Sequence, residues 1–378
     1  MQFSSFALAT FCASIVHAQS TTVIDDFEAA LIGDSAFDLF LSLVEGIPAD
    51  RVSEFSSLLT SNHTLAIPKY YLLFLHSRSS LTTFLPGMVL GDPSGIIPLL
   101  SYHFVRLPVS HTSVASSANH IIIPTALTDF STVFLEPDQS QVLVLSKELD
   151  GTIHVLNQPT DVVLTPQDDM VILDDTYTWS TTSDMLVVPT TFSKTMPSSN
   201  ISTFTEIASA VGIVDALETL SGLTLFVPQD EAFSSVESTL RHLNSLELAS
   251  VLSGHVVNST LYSPQLTAGV TQANFAGQML STDGITVSLE GGNTANILTS
   301  DVLLQNGVVH IIDNVLLPDI VKSAPVSSLS VGPWVVASLA LAMGGILAVV
   351  IACCRVRGAR SMSPSGWKFE STSYIRLT

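Results

Sequence analysis

The sequence predicts an α+β chain of two similar domains followed by one membrane span. Two pairs of landmarks recur: His103 and His255 lie 152 positions apart, and Gly151 and Gly307 lie 156 apart. A near-constant offset indicates a duplicated unit. In each unit, apolar residues with helical spacing precede short alternating segments, which favours α+β over alternating βαβ units. Residues 333–354 carry no charge and are long enough to cross a bilayer.

Residues 1–18 have the pattern of a secretory signal peptide. An apolar run precedes Val16-His17-Ala18, whose small-x-small spacing indicates cleavage after Ala18. The segment lacks the basic residues that usually open such a peptide, and a buried first strand or helix is the alternative. Cleavage would remove Cys12, and the exterior part of the chain would then contain no cysteine and no disulfide.

The first domain is predicted to span residues 21–166 and the linker after it residues 167–198. Residues 37–44 place apolar side chains at i, i+3, i+4 and i+7, the stripe of an amphipathic helix. The domain closes with the apolar run Val162–Pro166. The linker assignment depends on two acidic pairs and a composition rich in Ser, Thr and Pro, with a short strand at 185–188.

The second domain is predicted to span residues 199–319. An amphipathic helix with the same spacing opens it, with Thr203 at the N-cap and Glu206 at N3 of a capping box. Residues 223–228 have the pattern of a strand that ends at a proline. The pair Asn306-Gly307 between two apolar segments predicts a hairpin with a type I′ turn.

Two segments of the second domain resemble the signatures of the fasciclin (FAS1) family. Residues 223–233, LTLFVPQDEAF, resemble the first signature, and residues 306–318, NGVVHIIDNVLLP, resemble the second. In the first domain Tyr102-His103 matches the central Tyr-His motif, whereas residues 62–71 keep only a strand and a proline of the first signature. The second domain has Gly254-His255 in place of Tyr-His.

The resemblance implies a β-sandwich wedge flanked by short helices in each domain. Fasciclin proteins are extracellular or cell-surface adhesion proteins, often glycosylated, and tandem copies ahead of a membrane anchor are similar to fungal members. The Tyr-His motif implies that Tyr102, His103 and His255 contribute to partner binding. The recurrence of His103 as His255, and of His154 as His310, favours instead a structural role through backbone hydrogen bonds.

Residues 333–354 are predicted to be a single transmembrane helix, with 320–332 as a juxtamembrane stalk and 355–378 as a cytoplasmic tail. Trp334 suits the outer interface, and three arginines directly after the span place the tail in the cytoplasm, a type I topology. A buried core helix and a GPI signal are the alternatives, and the polar tail argues against the second. The plasma membrane and the vacuolar membrane both fit.

Short motifs near the membrane predict three further features. Cys353 and Cys354 lie at the inner edge, where S-palmitoylation is common, or they simply end the helix as small residues. Small residues four apart on one face support a homodimer through the span: Ala340, Gly344 and Ala348. Tyr374 to Leu377 has the Tyr-x-x-apolar form of a sorting signal, and an accidental match is the alternative.

Composition excludes several classes of function. The chain has 13 Lys+Arg and 33 Asp+Glu, a formal charge of −20, and nucleic-acid binding needs clustered basic residues. The sequence contains no zinc-protease motif, nucleophile elbow or phosphate loop, so we assign no catalytic, metal or cofactor residue. The distance between the two catalytic carboxylates of a glycosidase is set by the folded structure, so the sequence alone does not exclude such a pair. A membrane-anchored hydrolase or carbohydrate-active enzyme therefore remains the alternative function.

The leading hypothesis is a non-enzymatic adhesion or binding protein at the cell surface. Its partners would be protein or glycan ligands in matrix, cell wall or another cell, with avidity from tandem domains. Three sequons predict N-glycosylation of the exterior: Asn62, Asn200 and Asn258.

Overall fold

The computed structural model describes most of both predicted domains. The described residues are 23–32, 37–59, 64–68, 95–106, 109, 120–166, 170–172, 175–177, 179–196 and 200–319. The predicted signal peptide, stalk, span and tail, and the sequon at Asn62, lie outside them. Within these ranges no helix is both long and apolar enough to cross a membrane.

The first domain is one seven-stranded sheet with helices ahead of most of its strands. Helical residues 23–31 precede the labelled elements. The helices are α1 (Asp38–Glu45), α2 (Val52–Leu59) and α3 (Ile96–Tyr102). The strands are β1 (Thr64–Pro68), β2 (Phe104–Val105), β3 (Ile121–Pro124), β4 (Val142–Lys147), β5 (Ile153–Val155), β6 (Val162–Pro166) and β9 (Trp179–Thr182), in the order β2-β1-β9-β6-β5-β4-β3. Strands β7 (Met170–Ile172) and β8 (Asp175–Tyr177) form a separate hairpin.

The second domain repeats this sheet. Its helices are α4 (Phe192–Thr195), α5 (Ser202–Ala210), α6 (Val214–Thr219), α7 (Asp230–Ser234), α8 (Glu237–Leu240) and α9 (Ser245–Ser253). Its strands are β10 (Leu223–Pro228), β11 (Val256–Val257), β12 (Val270–Ala273), β13 (Met279–Thr282), β14 (Thr286–Leu289), β15 (Thr294–Leu304) and β16 (Gly307–Ile312), in the order β11-β10-β16-β15-β14-β13-β12. The α+β prediction is confirmed for both domains.

Each sheet contains one parallel pair, formed by its first strand and its last. Strand β1 pairs with β9 and β10 pairs with β16, each with an antiparallel neighbour on the other side. The registers match, because Ala66 lies opposite Ser180 and Phe226 lies opposite His310. Strand β9 therefore has the place of β16, and Ser180 has the place of His310.

This register corrects the predicted repeat. The segment at Gly151 and His154, which we matched to the second signature, forms β5 and has the sheet position of β14. The first domain also continues past residue 166, because β9 lies inside the predicted linker 167–198. Residues 185–188 form no strand. Sequence matching missed β9 because it retains neither the Asn-Gly pair nor the histidine of the signature.

The start of α5 differs from the predicted capping box. Its N-cap is Ile201, with no side-chain cap. Instead, Asp230 at the start of α7 accepts hydrogen bonds from the Thr203 backbone nitrogen at 2.7 Å and the Ser202 hydroxyl at 2.9 Å. The capping box lies at α9, where Asn244 and Glu247 bond each other's backbone. The Asp230 carboxylate of the neighbouring helix thus caps the start of α5, a role that the sequence predicted for Thr203 and Glu206.

The β15–β16 turn consists of Gln305 and Asn306 rather than Asn306-Gly307, since Leu304 pairs with Gly307. Neither turn residue has a positive φ, so the type I′ prediction is wrong. The Asn306 side chain donates to two carbonyls at the end of α6, at 2.7 and 2.9 Å. A Cβ on Gly307 would lie 2.0 Å from the Leu223 carbonyl oxygen. The Asn-Gly pair is needed for contacts with neighbouring elements.

Candidate functional site: buried histidines and the domain junction

His103 joins the end of α3 to the segment after the last strand of the first domain. It is fully buried. Its Nδ1 donates to the Leu99 carbonyl oxygen at 2.8 Å, and its Nε2 accepts from the Leu186 backbone nitrogen at 3.1 Å. The ring of Phe40 from α1 packs on it, with centroids 5.9 Å apart.

His255 repeats the arrangement in the second domain. Its Nδ1 donates to the Val251 carbonyl oxygen at 2.8 Å, and its Nε2 accepts from the Leu316 backbone nitrogen at 2.9 Å. Phe204 from α5 packs on it, with centroids 6.1 Å apart. The predicted equivalence of His103 and His255 is confirmed, and each ring ties a helix end to the closing segment of its domain.

Both rings are neutral near pH 7. Burial lowers the pKa of each to about 4, and the hydrogen bond to a backbone carbonyl offsets this only in part. Tyr102 is also fully buried, and its hydroxyl donates to the Val142 carbonyl oxygen at 3.1 Å. The adhesion role that the family motif implies for Tyr102, His103 and His255 remains a prediction. Because all three side chains are buried, they would contribute to partner binding by stabilising the fold.

His154 and His310 differ in environment. His310 is fully buried, stacks on Phe226 with centroids 5.5 Å apart, and donates from Nε2 to the Leu261 carbonyl oxygen at 2.8 Å. Burial lowers its pKa, opposed by the charge of Asp301. The Nδ1 of His154 instead lies 2.7 Å from a carboxylate oxygen of the exposed Asp161, and His154 itself is half-buried. The predicted equivalence of His154 and His310 is therefore wrong.

The two domains meet where the first sheet contacts the β15–β16 hairpin of the second, a region that we call the junction. The Phe134 backbone nitrogen donates to the Gln305 carbonyl oxygen at 2.8 Å. The Gln141 side chain donates to the Leu304 carbonyl oxygen at 3.0 Å. Leu303 packs against two buried valines of β4. The junction thus combines backbone hydrogen bonds with an apolar cluster.

Asp301 is the central polar residue of the junction. It is fully buried and has a φ of 61°, unusual for a residue other than glycine. One carboxylate oxygen accepts from Nδ1 of His120, in the first domain, at 2.8 Å. The carboxylate also accepts from the backbone nitrogen of Ser263, at 2.7 Å, and from its hydroxyl. The Asn157 side chain donates to the Asp301 carbonyl oxygen at 2.5 Å.

These partners keep Asp301 ionised. Burial alone would raise its pKa. The hydrogen bond from His120, the charge of His310 and the hydrogen bonds from Ser263 outweigh burial and hold the pKa below its usual value. Because His120 belongs to the first domain, the carboxylate of Asp301 contributes to joining the domains.

A second carboxylate reaches across the junction from the opposite side. Glu136 of the first domain accepts from the Thr260 backbone nitrogen at 2.6 Å and from the Thr260 hydroxyl at 2.8 Å. Gly222 lies against it and donates from its backbone nitrogen to the Phe134 carbonyl oxygen at 3.0 Å. A Cβ on Gly222 would lie 2.2 Å from the Glu136 carboxyl carbon and would displace that side chain, and the φ of +69° at this position also favours glycine.

A cavity of about 590 Å³ opens beside these contacts. Its apolar wall comes mainly from β3 and β4 of the first domain. Its polar lining includes His120, Glu136 and Gln139 from the first domain and Thr260 and Tyr262 from the second. Both domains are therefore needed to form it.

The serine, histidine and aspartate at the junction are not arranged as a catalytic triad. In a triad the aspartate and the serine bind opposite nitrogens of the histidine. Here the Ser263 hydroxyl donates to Asp301 itself, and the Ser300 hydroxyl lies 3.4 Å from Nδ1 of His120, the nitrogen that Asp301 already bonds. Neither serine is activated by this geometry. Among the described residues, no three His, Cys, Asp or Glu side chains are grouped so that they could hold a metal ion.

Comparison with known proteins identifies the family. The family model for the Fasciclin domain matches residues 199–318. Protein sll1483 of Synechocystis sp. is 34% identical over 128 residues, which are 31% of this chain and 68% of that protein. The chain belongs to the fasciclin (FAS1) domain family.

A fungal relative extends the similarity beyond a single fasciclin domain. Fasciclin-like arabinogalactan protein CTB11 of Cercospora beticola is 29% identical over 252 residues, which are 64% of each chain, so this chain spans somewhat under two thirds of that relative. The solved FAS1 domain pair of the insect cell adhesion molecule Fasciclin I covers 76% of this chain at 17% identity, with a TM-score of 0.33. That score is too low to assign an arrangement of the domains.

The described sequons lie at the surface of the second fasciclin domain. Asn200 is exposed, and its side chain donates to the Glu231 carboxylate at 3.0 and 3.2 Å. Asn258 is exposed as well, although the hydroxyl of Thr260 in the same sequon is bound to Glu136 at the junction. A glycan on Asn258 would thus stand two residues from the domain contact.

Sequence reasoning missed the residues of the junction. Asp301 is the one charged residue of β15, and that charge inside a strand was the only local signal. His120 and Glu136 carry no motif, and Thr260 was noted only as part of a sequon, because each acquires its role at the junction from a partner more than 100 residues away.

Proposed function

We propose that the chain is a non-enzymatic adhesion or binding protein that presents its two fasciclin domains outside a membrane. The supporting observation is that the domains are joined by reciprocal carboxylate contacts, Asp301 to His120 and Glu136 to Thr260. Such a module can offer two surfaces to one partner in matrix, cell wall or another cell, and paired weak contacts raise avidity.

Membrane anchoring belongs to the same proposal. The apolar residues 333–354 and the arginines after them support a type I protein with residues 355–378 in the cytoplasm. The exterior would then carry 8 basic and 32 acidic residues. So acidic a surface favours neutral or cationic partners over anionic polymers.

The test combines topology with adhesion. The full chain, tagged at its C-terminus, is expressed in cells that do not adhere to one another, and intact cells are treated with protease. We expect the exterior to be digested, the tagged tail to be spared, and the untreated cells to bind matrix, wall polymer or each other more than cells with the empty vector. Digestion of the tail would refute the topology, and unchanged binding to all three surfaces would refute the adhesion function.

A further inference from the structure

The junction cavity has the size and lining of a small-molecule site. Its volume of about 590 Å³ lies within the range of roughly 300–1,000 Å³ that is usual for such sites, which occur preferentially between domains. Leu135 and Val142 contribute buried apolar surface, and Ile122 packs in the same cluster as Val142. This wall suits an aromatic or aliphatic body.

The polar part of the lining is negative. Glu136 lines the cavity, and its carboxylate is fixed by two hydrogen bonds from Thr260. A second carboxylate, that of Asp301, is bonded to the lining residue His120. Among the described residues that line the cavity, none is Lys or Arg.

Tyr262 is affected by the same negative charges. This residue lines the cavity, and its pKa is raised by burial and then by the negative charges of Glu136 and Asp301. An apolar cavity with fixed negative charge disfavours an anion and favours a cation, since charges interact more strongly away from bulk water.

We propose that the cavity binds a small amphipathic organic cation, with an apolar body against β3 and β4 and a protonated amine beside Glu136. The polar end would lie within reach of the carboxylate and the Tyr262 hydroxyl. Since both domains line the cavity, the ligand would bind only the joined module. The site goes beyond the adhesion function, and either proposal can fail without the other.

A charge-matched series of probes tests the proposal: 1-naphthylmethylamine, 1-naphthalenemethanol and 1-naphthoate. Their Kd values are measured by calorimetry on the purified full chain in a non-ionic detergent at pH 7, with detergent alone as the blank. We expect the amine to bind at least about tenfold more tightly than the carboxylate, with the alcohol between them, as a charge interaction in a partly desolvated cavity requires. Equal affinities, or no binding of the amine at millimolar concentration, would overturn the proposal.

A matched pair of variants locates the binding. Gln139 lines the cavity and is exposed, so Gln139→Lys adds a positive charge at the rim without removing a junction contact of its side chain. Thr271→Lys adds the same charge at an exposed position of β12 outside the lining. We expect Gln139→Lys to weaken the amine and to strengthen the carboxylate about tenfold each, and Thr271→Lys to change neither. If the two variants behave alike, the charge preference belongs to the whole surface and the cavity site is refuted.

Discussion

Acidification from pH 7 to 4 is expected to destabilise the protein through its buried histidines. His103 and His255 have a folded-state pKa of about 4, against 6.5 for an ordinary histidine. Between these values the unfolded chain binds more protons than the folded chain. The free energy of unfolding therefore falls as the pH falls below 6.5, and the loss is complete near pH 4.

The magnitude follows from the shift. One pKa unit corresponds to about 1.4 kcal/mol, so each histidine contributes about 3 kcal/mol to the loss. The pKa of His310 is also lowered, and it adds a term of the same sign. Ordinary carboxylates take up protons mainly below pH 4.5, so the interval from pH 6.5 to 4.5 isolates the histidines.

The assay is urea unfolding of the purified full chain, followed by circular dichroism at several pH values from 7 to 4. In His255→Asn the amide can donate to the Val251 carbonyl but leaves the Leu316 backbone nitrogen without an acceptor. We expect lower stability at pH 7, by about 1–3 kcal/mol, and a pH-dependent loss smaller by about 3 kcal/mol. His103→Asn is the matched variant in the other domain. If either variant keeps the full pH dependence of the parent, the reasoning from burial fails.

Four further outcomes are expected. Gly307→Ala should lower the free energy of unfolding by more than about 3 kcal/mol, because its Cβ would overlap a backbone carbonyl. Gly269→Ala, which meets no atom within 4 Å but has a φ of +87°, should cost only about 1–2 kcal/mol. Asp301→Asn replaces an acceptor oxygen with a donor and should cost roughly 2–3 kcal/mol, splitting one calorimetric transition into two; a single unshifted transition would show that the junction is not held by this carboxylate. Asn258→Gln should remove one glycan and so increase the mobility of the protein on a gel. Unchanged mobility before and after glycosidase treatment would show that the sequon is unused. Tyr374→Ala should raise the surface fraction without changing the melting temperature, and identical uptake rates in variant and parent would leave the tyrosine motif an accidental match.

Some elements were predictable from sequence because their local pattern and tertiary role agree. Strand β10 has the bounds that the alternation and the proline predict. His103 and His255 were matched correctly because each lies within two residues of the end of a helix that supplies one of its partners.

The first domain shows where such reasoning stops. Strand β9 has Ser180 where β16 has His310, and it lies between β1 and β6, with which its backbone pairs. A local sequence pattern cannot reveal β9, because this strand is defined by its pairing with β1, more than 100 residues earlier in the chain. The sequence did not predict the junction for the same reason, because Asp301 and Glu136 make their contacts only where the two domains meet.

The parallel pairing of first and last strands has a consequence for synthesis of the chain. Strand β1 ends at residue 68 and its partner β9 begins at residue 179, so the sheet cannot close until more than 100 further residues have been made. A nascent chain that has been translated only to residue 166 contains β1 and β6 as two unpaired sheet edges. Each edge can pair with a strand of another chain. Protection during that interval must come from outside the sheet, and any fragment that ends at residue 166 inherits both open edges permanently.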